Sequence, residues 1–129
     1  MAVAMNLIGI YKDLMAAVPP TLASYTSVPN SPELPCIYCG PPDELNDFSS
    51  YGSCTLRQTV SVVVSRANEE TAQFDLVGLI GIELIARLLH AESENWMDIA
   101  FLGAGNFRSV VFGSTECLAA DLNFTIRTT

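Results

Sequence analysis

The chain has 129 residues, half of them apolar and only 16% charged, with one lysine and five arginines against fourteen acids for a formal net charge of −8. That length suits one domain with one core, 1–129, and the apolar share excludes a disordered chain and exceeds what a small monomer readily hides, which points to an oligomer. No basic stripe exists to neutralise phosphates, so specific nucleic-acid binding is not expected.

The opening "MAVAMNLIGIYKDLM" has neither the basic region nor the unbroken apolar run of a secretory signal, and no stretch reaches the roughly eighteen apolar residues of a membrane span. We therefore expect no membrane partner and assembly in a cytoplasm. In this segment Leu7, Ile8, Tyr11, Leu14, Met15 and Val18 recur at helical spacing. The spacing predicts an amphipathic helix that stops at Val18, because Pro19 and Pro20 remove amide donors and disfavour helical geometry before them.

All seven prolines fall between residues 19 and 42. We read 18–34 as an extended Pro-rich connection and "LPCIYC" as a short edge strand, where Pro35 is tolerated at the start. Residues 40–53, "GPPDELNDFSSYGS", combine turn formers with acids and two aromatics. A loop of this length is a contact candidate, with Phe48 and Tyr51 as anchors and Asp43, Glu44 and Asp47 at its wet edge. The three acids lack the ligand spacing of a calcium loop.

From 55 to 66 the alternation places Leu56, Gln58, Val60, Val62 and Val64 on one face and Thr55, Arg57, Thr59, Ser61 and Ser65 on a wet one. Asn68 is expected to cap a second helix, about 70–91, with Glu69 and Glu70 in its first turn. Phe74, Val77, Gly81, Leu84, Ile85 and Leu88 form its expected apolar side, widened by Leu76, Leu79, Ile80 and Ile82. Such a helix is covered from two directions, by a sheet and by another helix or subunit. Glu83 and Arg87 are spaced for an ion pair on the polar side, His90 is expected to cap the C-terminus, and Trp96 to anchor a core or an interface.

"GAGNFR" at 103–108 lacks the third glycine of a dinucleotide loop and reads as a turn. "RSVVFG" is expected as a third strand. The closing "CLAADLNFTIRTT" alternates, with Leu118, Ala120, Leu122, Phe124 and Ile126 inward and Asp121, Asn123, Thr125 and Arg127 outward. The order α-β-β-α-β-β predicts an α+β fold, a mainly antiparallel four-stranded sheet with two helices on one face.

Cys36 and Cys39 have the spacing of half a zinc site, but no second pair exists, and the spacing of Cys54 and Cys117 does not imply a four-thiol centre. An active dithiol would need a helix start after its first cysteine, where "GPP" follows the pair. The four cysteines are therefore expected to fill space. No catalytic constellation assembles, so we expect neither an enzyme nor a cofactor.

The helix ending in "AAVPP", the long strand "TVSVVVSRAN" running into a helix, the closing "FGSTECLAADLNFTIRT" and the overall length resemble the tail terminator (tail completion) proteins of long-tailed bacteriophages. The resemblance implies a small α+β structural protein of the virion that forms a ring, most often a hexamer, on the end of the tail tube. It would stop tube polymerisation and present the surface that joins the head. The implied partners are other copies of the chain, the tail tube protein and the head-neck connector or stopper, with genomic DNA passing the lumen unbound. Another neck or head-completion protein, or a small cytoplasmic zinc-binding regulatory domain, are the rival readings.

Overall fold

In the computed structural model, which describes residues 6–46, 54–66 and 69–128, helix α1 spans Leu7–Ala16. It begins at Asn6, whose side chain accepts from the Gly9 amide at 3.1 Å, and it buries Ile10, Tyr11, Leu14 and Met15. Strands β1 (Ala23–Tyr25), β2 (Cys36–Cys39), β3 (Glu44–Asn46) and β4 (Thr55–Ser65) follow. Helices α2 (Glu69–Ile80) and α3 (Ile82–Leu89) then precede the long strands β5 (Trp96–Phe112) and β6 (Thr115–Thr128).

Among the described residues the strands form one sheet in the order β1-β2-β4-β6-β5, with β3 pairing beside β2 on the same edge of β4. The fold is mixed α+β, as expected, but the sheet has six strands rather than four. It also contains a parallel pair, β1 with β2, where an antiparallel sheet was expected. The Pro-rich segment contributes β1, and "CIYC" is consequently an interior strand between β1 and β4. Alternation could not reveal β1, because three residues are too few to show a period. The expected loop 40–53 is likewise strand over 44–46.

The centre of the sheet is the antiparallel pair β4–β6, in unbroken register from Thr55↔Arg127 to Ser65↔Cys117. Its alternation is the predicted one. Leu56, Val60, Val62 and Val64 of β4 and Ala120, Leu122, Phe124 and Ile126 of β6 are buried on one face. There they meet Ile10 and Leu14 of α1, Leu76 of α2 and Leu84 and Leu88 of α3. Trp96 is buried in the same core, and Phe101 packs on Phe124 with ring centroids 5.4 Å apart.

Gln58 is the polar member of this face and is fully buried. Its Nε2 donates to the carbonyls of Gly40 (2.7 Å) and Thr59 (2.8 Å), and its Oε1 accepts from the Tyr11 hydroxyl at 2.6 Å. A buried amide is tolerated here because each of its groups has a partner.

The predicted second helix is broken at Gly81, where the backbone leaves helical geometry (φ 7°, ψ 173°). The reason lies in the spacing. The inward residues are Ala72, Leu76, Ile80, Leu84 and Leu88, a strict period of four. Each step of four overshoots a helical turn by roughly 40°, so a continuous helix cannot hold all five against a sheet. The break absorbs that drift. It also overturns part of the expected apolar side, since Phe74 and Val77 point to solvent instead. The Glu83–Arg87 ion pair forms at 3.4 Å, and His90 is the C-cap of α3, its amide bonding the Ala86 carbonyl.

The predicted turn at "GAGNFR" is also corrected, because it lies inside β5. The pairing of β5 with β6 shifts register at Trp96/Asp98, Phe101/Gly103 and Gly105/Arg108. Gly103 (φ 149°) and Asn106 (φ 53°) take positive φ there, a conformation glycine and asparagine adopt at low cost. Gly103 and Asn106 thus serve bulges rather than a chain reversal. The reversal comes at Gly113-Ser114, with Gly113 at φ 64° as a two-residue hairpin requires.

Candidate assembly surface

The face of the sheet away from the helices divides into two zones. At one end Cys36, Tyr38, Val63, Cys117 and Ala119 are buried together, with Leu34 of the β1–β2 crossover and Phe112 packed against them. Tyr38 and Phe112 meet edge to face at 6.3 Å. The face expected to be wet is therefore dry at this end, because the Pro-rich segment folds back over it.

The rest of that face is polar and cross-tied. Thr59 donates to the Asp43 carboxylate and to Asn123 Oδ1 (3.0 Å), and Asn123 donates to the Gly103 carbonyl at 3.4 Å. The Asp121 carboxylate accepts from Ser61 Oγ (2.7 Å), Asn106 Nδ2 (2.8 Å) and Arg108 Nη1 (2.8 Å). Burial pushes this carboxyl up, but the three donors and the Arg108 charge outweigh it and hold it below its ordinary value. Asp121 on β6 thereby ties β4 to the bulge of β5.

Cys36 and Cys39 lie three apart on one strand, so their side chains point to opposite faces of the sheet. Cys36 belongs to the cluster on the far face and Cys39 to the main core beneath the helices. Two thiols so placed cannot share one ion, which corrects the half-site suggested by their spacing. Burial pushes the Cys36 thiol up to about 11 and the Cys39 thiol to about 12, and raises that of Cys117. Cys54 is buried where its backbone and that of Thr128 bond each other. Among the described residues no three or more His, Cys, Asp or Glu converge to hold a metal ion.

Of the predicted contact residues, Asp43 and Glu44 are exposed beside β4. Glu44 pairs with Arg57 at 3.3 Å, with both side chains about half exposed, a geometry that contributes little stability. Asp47, Phe48 and Tyr51 lie outside the described residues.

The surface that the sequence did not reveal lies on α2 and β5. Phe74 is 77% exposed and Val77 57%, while β5 exposes Met97, Leu102, Phe107 and Val111. Met97, Leu102 and Phe107 each fall within one of the three register shifts of β5, so the bulges turn apolar side chains outward. A groove of about 480 Å³ runs along one flank of α2, lined by Leu34, Pro35, Val64, Phe74, Asp75 and Gly78 among others. A second, of about 740 Å³, separates the opposite flank from β5 and includes Arg66, Val77, Phe107, Arg108 and Leu118. The available signal was the period of four in 72–88, which already directs Phe74 and Val77 away from the sheet.

No protein-family model matches the chain, and no curated protein matches it. A solved structure described as the virion of a native gene transfer agent (GTA) particle contains a chain with a similar fold. The two are 21% identical, the match covers 96% of this chain and 94% of the other, and the TM-score is 0.53. Among the described residues no helix is long and apolar enough to cross a membrane.

Proposed function

We propose that this protein is a structural subunit of a phage-like virion, and within it the tail terminator: a ring, most simply a hexamer, that caps the tail tube and joins it to the head-neck connector. The observation that carries the reading is the end-to-end likeness of fold to a chain of a gene transfer agent virion, covering 96% of this chain and 94% of that one. The role is mechanical rather than enzymatic. Exposed apolar side chains on α2 and β5 suit a subunit that buries them against neighbours, and a net charge of −8 suits a channel wall past which DNA must slide.

Purified protein is to be imaged by negative stain, alone and with tail tubes, and expected to form rings at tube ends. A monomer that also fails to cap tubes would refute the assignment. A ring that binds the connector but ignores tubes would make it a neck or head-completion protein instead. The opposed thiols of Cys36 and Cys39 favour the structural reading over the zinc-regulatory alternative.

Within this reading the segment 40–53 contacts a neighbouring subunit or the tube through Phe48 and Tyr51, flanked by Asp43, Glu44 and Asp47. Replacing both aromatics with serine is expected to change stability by less than about 1 kcal/mol while reducing ring or tube assembly. Unfolding of the double variant would make them core residues, and normal capping would remove the loop from the contact.

A further inference from the structure

We propose that the segment 71–89 is a two-state element, in which closing the break at Gly81 into one continuous helix turns α2 about its axis and exchanges the apolar residues it buries. Two apolar stripes run through this segment, and both include Leu84 and Leu88. The buried one, Ala72, Leu76, Ile80, Leu84 and Leu88, would spread over roughly 160° of a continuous helix at roughly 100° per residue. The other, Phe74, Val77, Gly81, Leu84 and Leu88, would fall within roughly 80°. It is the second set that fits an unbroken helix, yet Phe74 and Val77 are exposed while the break is open. With α3 held by Leu84 and Leu88, closure rotates α2 by roughly 100°. That brings Phe74 and Val77 onto the sheet, moves Ile80 to the side and turns Ala72 and Leu76 outward.

The two arrangements compete closely. A single residue separates the helices, and helical hydrogen bonding reaches it from both sides: the Gly81 amide donates to the Val77 carbonyl at 3.1 Å and the Ile85 amide to the Gly81 carbonyl at 3.5 Å. α3 begins without a side-chain cap, and helix ends leave amides and carbonyls that a continuous helix would pair. Against that gain stands the loss of Leu76 and part of Ile80 from the core, offset by the phenyl group of Phe74 and the isopropyl group of Val77. Gly81 holds the balance. Inside a helix glycine is disfavoured roughly fivefold relative to alanine. In the broken state a Cβ at this position would stand 3.2 Å from the Gly78 carbonyl oxygen, a contact that only a backbone shift relieves. Gly81→Ala therefore favours closure on both counts. The consequence of the switch is a choice of outer surface, Phe74 and Val77 in one state and Ala72 and Leu76 in the other, and it stands independently of the proposed assembly role.

The test reads thiol reactivity in the full chain, whose four native cysteines are buried. Ala72→Cys and Phe74→Cys are made with and without Gly81→Ala and treated with a disulfide reagent. Closure predicts that Gly81→Ala speeds labelling of Ala72→Cys and slows that of Phe74→Cys, each by roughly tenfold or more. A folded Gly81→Ala chain in which both rates stay within about twofold, or in which both rise as in local unfolding, overturns the proposal. Gly78→Ala is the control, because a Cβ there meets nothing within 4 Å and raises helix propensity without touching the break. It should leave both rates unchanged; an effect equal to that of Gly81→Ala would assign the result to propensity and overturn the switch. Should Gly81→Ala fail to fold, Phe74→Asp in the Ala72→Cys chain decides. A carboxylate cannot be buried unpaired against the sheet, so labelling through the closed state should slow by roughly tenfold or more while Tm is unchanged. An unchanged labelling rate in that chain overturns the proposal.

Discussion

Replacing Asp121 with alanine tests whether the polar half of the exposed sheet face holds β4, β6 and β5 together. The substitution removes the acceptor for Ser61, Asn106 and Arg108 at once. Ser61 is only 4% exposed, so its hydroxyl loses its partner without gaining water, at a cost of about 1–2 kcal/mol. Asn106 is exposed and Arg108 partly so, and both rehydrate; losing their charge-assisted bonds costs about 0.5–1 kcal/mol each. The sum is about 2–4 kcal/mol. For 129 residues the unfolding entropy is roughly 0.27 kcal/mol/K, which converts the loss to about 7–15 °C in Tm.

Urea and thermal unfolding of both proteins across pH supply the assay, and linkage fixes the sign. The folded carboxyl of Asp121 lies below its ordinary value of 3.8. Its contribution is therefore complete above that value and is lost as pH falls through the lower folded one. The gap between wild type and Asp121→Ala should be constant from neutral pH down to about 5 and should narrow in stronger acid. A loss below about 1 kcal/mol at neutral pH, or a gap that widens on acidification, would refute the cross-tie.

Tyr11→Phe should cost about 1–3 kcal/mol in urea unfolding, because the buried Gln58 Oε1 loses its donor; the phenol, pushed up to about 12 chiefly by burial, donates throughout the ordinary pH range. A neutral result would mean that the amide has another donor. At pH 8 a disulfide reagent should titrate none of the four buried thiols in the native protein on the timescale in which it titrates all four after denaturation. Rapid native labelling of Cys36 or Cys39 would contradict their burial and raised pKa.

The elements that were legible in the sequence are those in which a single period runs uninterrupted. β4 and β6 alternate over eleven paired positions, and a strand with one face on the core must show that alternation. α1 announces its end through Pro19-Pro20, and the helix stops at Ala16 with Ala17 as its cap. Legibility failed where two signals competed. In 72–88 a period of four mimics a helical face locally and conflicts with it over five turns, so the sequence read as one broad apolar helix. In 96–112 Gly103 and Asn106 serve bulges but have the composition of a turn, and the strand was read only from its second half. The cysteine pair misled for a third reason. Spacing in sequence becomes spacing in space only after the backbone is known: in a tight turn two residues three apart converge on one point, and in β2 they diverge to opposite faces.

β5 is the outer strand of the sheet and exposes Met97, Leu102, Phe107 and Val111. An outer strand of seventeen residues would ordinarily invite edge-to-edge pairing with any other strand. β5 is interrupted at three points, and its longest uninterrupted stretch after the last shift, Arg108–Phe112, is five residues. Bulges twist the edge and break the ladder that an added strand would need. Because Met97, Leu102 and Phe107 fall at those breaks, the strand is protected in its backbone at the places where it presents apolar side chains. Under the proposed function, a partner of this edge is selected by the shape and charge of its side chains rather than by backbone pairing. Straightening β5 by deleting Phe107 from its bulge should restore a continuous ladder at this edge and promote unspecific aggregation, measured as turbidity at concentrations where the parent chain stays clear.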